Sequence, residues 1–175
     1  MQPSFESLAL SDALVAVIAE LGYARPTAIQ AAAIPAMLAG RDVVGQSQTG
    51  SGKTAAFALP ILQRLDLGNR AVQALVLCPT RELTAQVARE VRTLGRAHNG
   101  LKVLELVGGQ PGRPQREALE RGAHIVIGTP GRLLDHLARG SLEPDSIGTL
   151  VLDEADRMLD MGFGDEVRAI VREMP

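Results

Sequence analysis

The sequence predicts an α/β fold: a parallel sheet with helices on both faces. Three observations carry that prediction. From residue 42 onward, short apolar runs of strand type alternate with segments of helical apolar spacing, the pattern of a parallel sheet joined by right-handed crossovers. Two of the runs, Ala74-Leu75-Val76-Leu77 and His124-Ile125-Val126-Ile127, are nearly continuous in apolar residues, as strands covered on both faces require. A glycine-rich stretch, Ser47-Gln48-Thr49-Gly50-Ser51-Gly52-Lys53-Thr54, follows the first run and opens the next helix, the position of a phosphate-cradling loop.

Each element has its own justification. After an extended entry, Ser11 to Leu21 has a Ser/Asp start, apolar residues at helical spacing and a stop at Gly22, which reads as an amphipathic helix. Thr27 to Leu38 reads as a second helix, bent or loosened at Pro35 and ended by Gly40. Strands are predicted near 42–46, 73–78, 102–107, 123–128 and 149–153, and helices near 53–66, 81–98, 113–121, 130–139 and 164–173. No repeat, low-complexity tract or linker interrupts them, so residues 1–175 read as one domain.

Composition narrows the function classes. With 46% apolar residues the chain can bury a substantial core, and with 2% aromatics that core must be aliphatic. A formal charge of −2 supplies no overall cationic field, so a polyanion would be held by local geometry. Cys78, the only cysteine, excludes an internal disulfide and a multi-cysteine zinc site, and its apolar run marks it as a small core residue. The start, Met1-Gln2-Pro3-Ser4-Phe5-Glu6, lacks the features of a secretory leader, and no apolar stretch approaches the ~20 residues of a membrane span, so a cytoplasmic location is expected.

The glycine-rich stretch makes a nucleoside triphosphate the first ligand to consider. Gly50 and Gly52 allow the backbone to bend closely around anionic oxygens, and the helix start offers N–H donors and the positive end of its dipole. Lys53 would reach the β- and γ-phosphates, and the Thr54 hydroxyl would hold Mg²⁺. The chain has only two lysines, Lys53 and Lys102, and places one of them in the loop, where a compact ammonium fits better than a guanidinium. Ser47 stands where the general pattern has glycine, and the bland alternative is a turn that caps a helix and binds nothing.

The remaining candidates follow strands, where ligands of parallel α/β sheets collect. Asp153-Glu154-Ala155-Asp156 ends the run Thr149-Leu150-Val151-Leu152. Asp153 would bind Mg²⁺ and Glu154 would orient and deprotonate an attacking water; the bland alternative is acids capping the next helix. Pro79-Thr80-Arg81 and Thr129-Pro130-Gly131-Arg132 each turn from strand to helix with a hydroxyl, a proline and an arginine, and Gly108-Gly109 closes another strand. Several phosphate-sized sites along one edge suit a polynucleotide backbone, although capping explains each turn singly. The absence of aromatics there argues for sequence-independent backbone contacts over base stacking. Gln30 could pair with the N6 and N7 edge of adenine, although alone it reads as helix surface. Met158, Met161 and Phe163 read as packing, and His98, His124 and His136 as structural or surface residues.

Together these segments resemble the first RecA-like domain of the DEAD-box RNA helicases over almost the whole chain. Phe5 and Gly22-Tyr23 through Gln30 resemble the Q motif within residues 1–40; residues 47–54 resemble motif I, where serine is a family habit. Pro79 to Leu83 resembles motif Ia, Gly108-Gly109 the GG motif, Thr129 to Arg132 motif Ib and Asp153 to Asp156 motif II. Gly108-Gly109-Gln110-Pro111 and Leu133-Leu134-Asp135-His136-Leu137 are similar to the bacterial DbpA subgroup. The resemblance implies ATP and Mg²⁺ at motifs I and II, adenine read by Gln30 with Tyr23 stacking nearby, and RNA backbone held by motifs Ia, GG and Ib. It implies that Asp156 couples motif II to a Ser-Ala-Thr motif III. That motif's strand and a second RecA-like domain with an arginine finger are not in the sequence, so the chain is expected to be a fragment with very weak hydrolysis and no helicase activity of its own. The open alternatives are a noncatalytic RNA or protein adaptor and another P-loop enzyme such as a GTPase, although no Asn-Lys-x-Asp guanine-reading motif occurs.

Overall fold

Residues 3–175 are described by the computed structural model; Met1 and Gln2 of the stretch read for a leader lie outside the described residues. The predicted alternation is realised from residue 74 onward. Four strands, β1 (Ala74–Leu77), β2 (Val103–Leu106), β3 (Ile125–Gly128) and β4 (Thr149–Leu152), form one parallel sheet in the order β2-β3-β1-β4. β1 and β3 are buried at every position, which is why their sequences are apolar runs without alternation.

The helices are α1 (Asp12–Glu20), α2 (Ala28–Leu38), α3 (Lys53–Arg64), α4 (Arg81–Leu94), α5 (Gly112–Glu120), α6 (Pro130–Ala138), α7 (Ala155–Asp160) and α8 (Gly164–Glu173). α1 starts where Ser11 Oγ accepts the Leu14 N–H, and α2 where Thr27 and Gln30 form a reciprocal capping box. α2 continues through Pro35 to Leu38.

The chain falls into two compact units: residues up to Leu65 together with Glu90–Asn99, and Asp66–Arg89 together with Gly100–Pro175. In the first, α2 packs on α3, and Leu14, Ile18, Ile34, Leu59 and Leu62 are fully buried. In the second, the sheet and α6, α7 and α8 enclose an aliphatic core that includes Leu75, Leu77, Leu106, Val126, Leu133, Met158 and Ile170.

Two sequence expectations need correction. The run Asp42–Gln46 is not a strand: it is irregular, with Val43 and Val44 exposed. Strand propensity describes fit to a pleated, half-buried surface, and this run has no ladder partner among the described residues. The entry is not extended throughout either, since Phe5–Leu8 forms a 3₁₀ turn that buries Phe5 and Leu8. Phe5 meets Tyr23 edge to face, with ring centroids 6.4 Å apart.

Candidate functional site

The register of the sheet determines which side chains meet. Leu106, Gly128, Leu77 and Leu152 are ladder partners at the carboxyl ends of the four strands. The bonds continue one residue further: Thr129 N–H donates to Leu106 O (3.1 Å), Cys78 N–H to Gly128 O (2.9 Å) and Asp153 N–H to Leu77 O (2.9 Å). The segments beginning at Val107, Cys78, Thr129 and Asp153 therefore leave the sheet along one edge.

A groove of about 840 Å³ opens there. Pro79, Thr80, Arg81, Gly108, Thr129, Gly131 and Arg132 all line it, so three motifs far apart in sequence share one surface. Gly109 lies against Arg81: a Cβ at Gly109 would sit 2.7 Å from the guanidinium carbon, and its φ of +72° suits glycine. The two strand-to-helix turns differ. Thr80 Oγ1 accepts the Leu83 N–H at 3.2 Å, an ordinary helix cap, whereas the Thr129 side chain makes no cap bond.

Sequence reasoning missed Arg116 and Arg139, which bring the groove to four arginines against Glu82 and Asp135. The net charge of the whole chain concealed this local excess. Arg139 is paired with Asp135 at 2.7 Å, one turn away. Phe163, at the start of α8, packs against the core as expected but also lines the groove beside Met161, so the edge is not free of aromatics; Met158 lies in the core. A sequence window around the motifs could not include Phe163, which only the fold brings to this edge.

Asp153 follows β4 directly. Glu154 adopts left-handed backbone angles (φ 52°, ψ 50°), and its carboxylate caps nothing; it faces Arg157 at 3.2 Å. The capping alternative for this acid is therefore not what the structure shows. Asp156 Oδ1 accepts the Arg157 N–H at 2.9 Å. Burial, then the nearby Asp153 charge, pushes the Cys78 thiol far above its usual range, consistent with an inert core residue.

Residues 47–54 form a tight loop leading into α3. Gly50 and Gly52 have φ of +80° and +82°, and Gly52, the N-cap, has no side chain to satisfy the donors of the first helical turn. Ser47 and Ser51 hydroxyls lie 2.6 Å apart, Ser51 N–H donates to Gln48 O at 3.3 Å, and Lys53 Nζ donates to Ser47 O at 2.7 Å. Thr49 is exposed at the tip, and Thr54 is half-buried at the second position of α3. Uncapped N–H donors, an ammonium folded into the loop and a hydroxyl beside it form a donor set that fits a phosphate with a divalent cation.

Gln30 is not on a helix surface. It is fully buried; its Oε1 accepts the Thr27 N–H (3.0 Å) and its Nε2 donates to Gly52 O (3.1 Å). One amide thus joins the start of α2 to the loop, and a Cβ on Gly52 would collide with it. Burial, then the Glu90 charge, raises the Tyr23 phenol above its usual range.

A model of the DEAD/DEAH box helicase family matches residues 27–175. The chain belongs to the DEAD/DEAH box helicase family. Among curated relatives of this helicase family, it is 56% identical to the Escherichia coli ATP-dependent RNA helicase DbpA over 89% of the chain and 34% of the relative. It is 50% identical to the Mycobacterium tuberculosis ATP-dependent RNA helicase DeaD over 98% of the chain and 31% of the relative. The helicase-family chain thus spans about a third of the length of the curated relatives it matches. The crystal structure of a DEAD box protein from the hyperthermophile Methanococcus jannaschii matches with a TM-score of 0.94 and 42% identity, over 98% of this chain and 47% of the other. A Dbp5 variant of S. cerevisiae bound to RNA and ADP BeF3 matches at 0.86 and 34% identity, over 98% and 44%. The fold is therefore the RecA-like one of the DEAD-box domain.

The three histidines of this DEAD-box domain bond to its own chain. His98 Nε2 faces Leu62 O, and His124 accepts the Lys102 N–H at Nδ1. His136 is buried, with Nε2 at 2.8 Å from Gln115 Oε1 and Nδ1 at 2.8 Å from Ser141 Oγ. Burial, then the Arg132 charge, lowers its pKa from 6.5, with Arg116 and Arg139 adding to the effect and Asp135 opposing it. The native state thus disfavours the proton that the unfolded chain takes up near 6.5, so this contribution to stability is full above that pH and is lost as pH falls through the native value. Urea unfolding between pH 7.5 and 5 should show stability falling with pH, and His136→Gln should flatten that fall; equal slopes in the two proteins would contradict it.

Proposed function

We propose that the chain is the ATP-binding half of an ATP-dependent RNA helicase, which remodels short RNA duplexes or RNA–protein complexes together with a second RecA-like domain. The observation that carries this reading is the groove: one sheet edge presents the ends of three strands and four arginines to a ligand with repeated phosphates. Family membership and the printed names of the relatives support it.

In this reading residues 47–54 hold the triphosphate. Lys53 exchanges the Ser47 carbonyl for phosphate oxygens, and the backbone donors of the first turn of α3 receive the remaining charge. Thr54 and Asp153 would hold Mg²⁺, which when bound would neutralise charge on the phosphates. Glu154 orients the attacking water and accepts its proton, and Asp156 couples this motif to the rest of the helicase. The Gln30 amide retains one hydrogen and one lone pair for adenine, with Tyr23 nearby to stack. Because Gln30 is fully buried, base recognition requires the segment covering it to shift. Arg81 and Arg132, with Pro79, Thr80, Gly108, Gly109, Thr129 and Gly131, contact the RNA backbone without reading sequence. The isolated half hydrolyses ATP very slowly, and a soluble cytoplasmic setting suits such an enzyme; no helix among the described residues is long and apolar enough to cross a membrane.

Titration with a fluorescent ADP analogue tests the nucleotide site directly. Binding should require Mg²⁺, and Lys53→Ala should weaken it by about 1.5–3 kcal/mol, roughly 10–100-fold, the worth of a hydrogen bond to a charged group. Undiminished binding by Lys53→Ala would remove the loop from the site. A wild-type chain that binds RNA but no nucleotide would favour the adaptor reading.

A further inference from the structure

We propose that Gln115 and His136 are positioning residues for RNA binding, a buried amide–imidazole pair that locks the Arg132 guanidinium onto the Gly108–Gly112 loop. The proposal rests on the RNA reading of the groove and adds two residues that lie outside motifs Ia, GG and Ib.

The geometry begins with the orientation of one amide. Gln115, on α5, is 6% exposed, and its Nε2 donates to Val107 O at 3.0 Å. Its Oε1 consequently faces two donors, His136 Nε2 at 2.8 Å and Arg132 at 3.3 Å. Reversing the amide would set its oxygen against the Val107 carbonyl and its N–H groups against the Arg132 guanidinium, so these two contacts fix the assignment. The same contact fixes the imidazole: Nε2 carries a proton, and Nδ1 is turned to Ser141 Oγ. Arg132 is held a second time, donating to Gln110 O at 2.9 Å.

The guanidinium is thus pinned between the loop that follows β2 and the helix that follows the loop. Two of its five N–H donors are spent on these contacts, and the rest belong to a group that lines the groove. An unpinned arginine must be ordered by its ligand, whereas this one is ordered beforehand, which lowers the entropy lost on binding. Neither Gln115 nor His136 lines the groove, so neither can touch a ligand lying in it. Any effect they have on RNA must pass through Arg132 and the loop.

A double-mutant cycle tests this on the full chain, with fluorescein-labelled single-stranded RNA as the probe, binding followed by anisotropy at several salt concentrations, and folding checked by thermal melting. Gln115→Met keeps the side-chain volume and removes both polar ends. It should weaken binding about three- to tenfold and lower the salt dependence by about one phosphate contact, as Arg132→Ala should. In the Arg132→Ala background it should cost nothing further. His136→Leu should repeat the loss and His136→Gln, which retains an N–H donor, should restore most of the affinity; this pair decides the matter if Gln115→Met does not fold. The proposal is overturned if Arg132→Ala weakens binding and Gln115→Met does not, or if the two losses multiply. If the wild-type chain binds no RNA, or Arg132→Ala leaves binding unchanged, the RNA reading of the groove falls first and the positioning role with it.

Discussion

Replacing Glu154 by glutamine should leave nucleotide binding intact and slow ATP hydrolysis roughly 10²–10⁴-fold, the range for loss of a positioned general base. Glutamine keeps the shape of the side chain and its reach toward Arg157, but it cannot accept a proton. On the function proposed above, the test is single-turnover ATP hydrolysis under saturating RNA, together with direct nucleotide titration. A variant that hydrolyses ATP at more than about a tenth of the wild-type rate would exclude Glu154 as the base. The backbone offers a second reading of the same residue. Glu154 is one of two non-glycine residues with positive φ among the described residues, a conformation that costs a non-glycine residue about 1–3 kcal/mol. Glu154→Gly relieves that strain, so stability should rise by about 1 kcal/mol while hydrolysis is lost.

The fold was legible where burial dictates residue type. β1 and β3 are apolar at every position because both faces are covered, and each helix start marked by Ser11 or Thr27 is a cap in the structure. Asp42–Gln46 misled for a related reason: Val43 and Val44 have strand propensity, but pairing is a property of a neighbour, and the sequence of the run does not contain one. In the candidate site, the shape of the glycine-rich loop was legible because it is local: two glycines at positive φ, a lysine and a hydroxyl in eight residues. Arg116, Phe163 and the Gln115–His136 pair were not, because each gains its role from a segment distant in the chain. Gln115 is one glutamine among the polar residues of α5, and only the fold places Val107 O, His136 and Arg132 around its amide. The surface reading of Gln30 failed in the same way. Its helical position suggested solvent, while the return of the chain at Gly52 buries it.

Gly128→Ala should be the most damaging single methyl in the sheet. Gly128 closes β3 opposite Leu106 of β2, and a Cβ built there would lie well inside van der Waals contact distance of Leu106 O and 2.8 Å from the Leu133 side chain of α6. Neither neighbour can withdraw freely. Leu106 O accepts the Thr129 N–H at 3.1 Å, so moving it breaks the bond that sets the following turn, and Leu133 is fully buried in the core. Accommodating the methyl must part β2 from β3 or lift α6, and overpacking of this kind costs about 1–3 kcal/mol, the upper end applying where backbone is the obstacle. At about 3 kcal/mol the melting temperature should fall by roughly 6–12 °C for a chain of this size. Gly148→Ala is the control, since a Cβ there meets nothing within 4 Å, and its stability should change by less than about 0.5 kcal/mol. The same shift reaches the groove, because Thr129, Gly131 and Arg132 follow Gly128 directly, so RNA affinity should fall even at temperatures where the variant is fully folded. Thermal melts and RNA titrations of the two variants decide it: a Gly128→Ala protein as stable as Gly148→Ala would mean that the strands part easily and that the carboxyl edge is not a rigid platform.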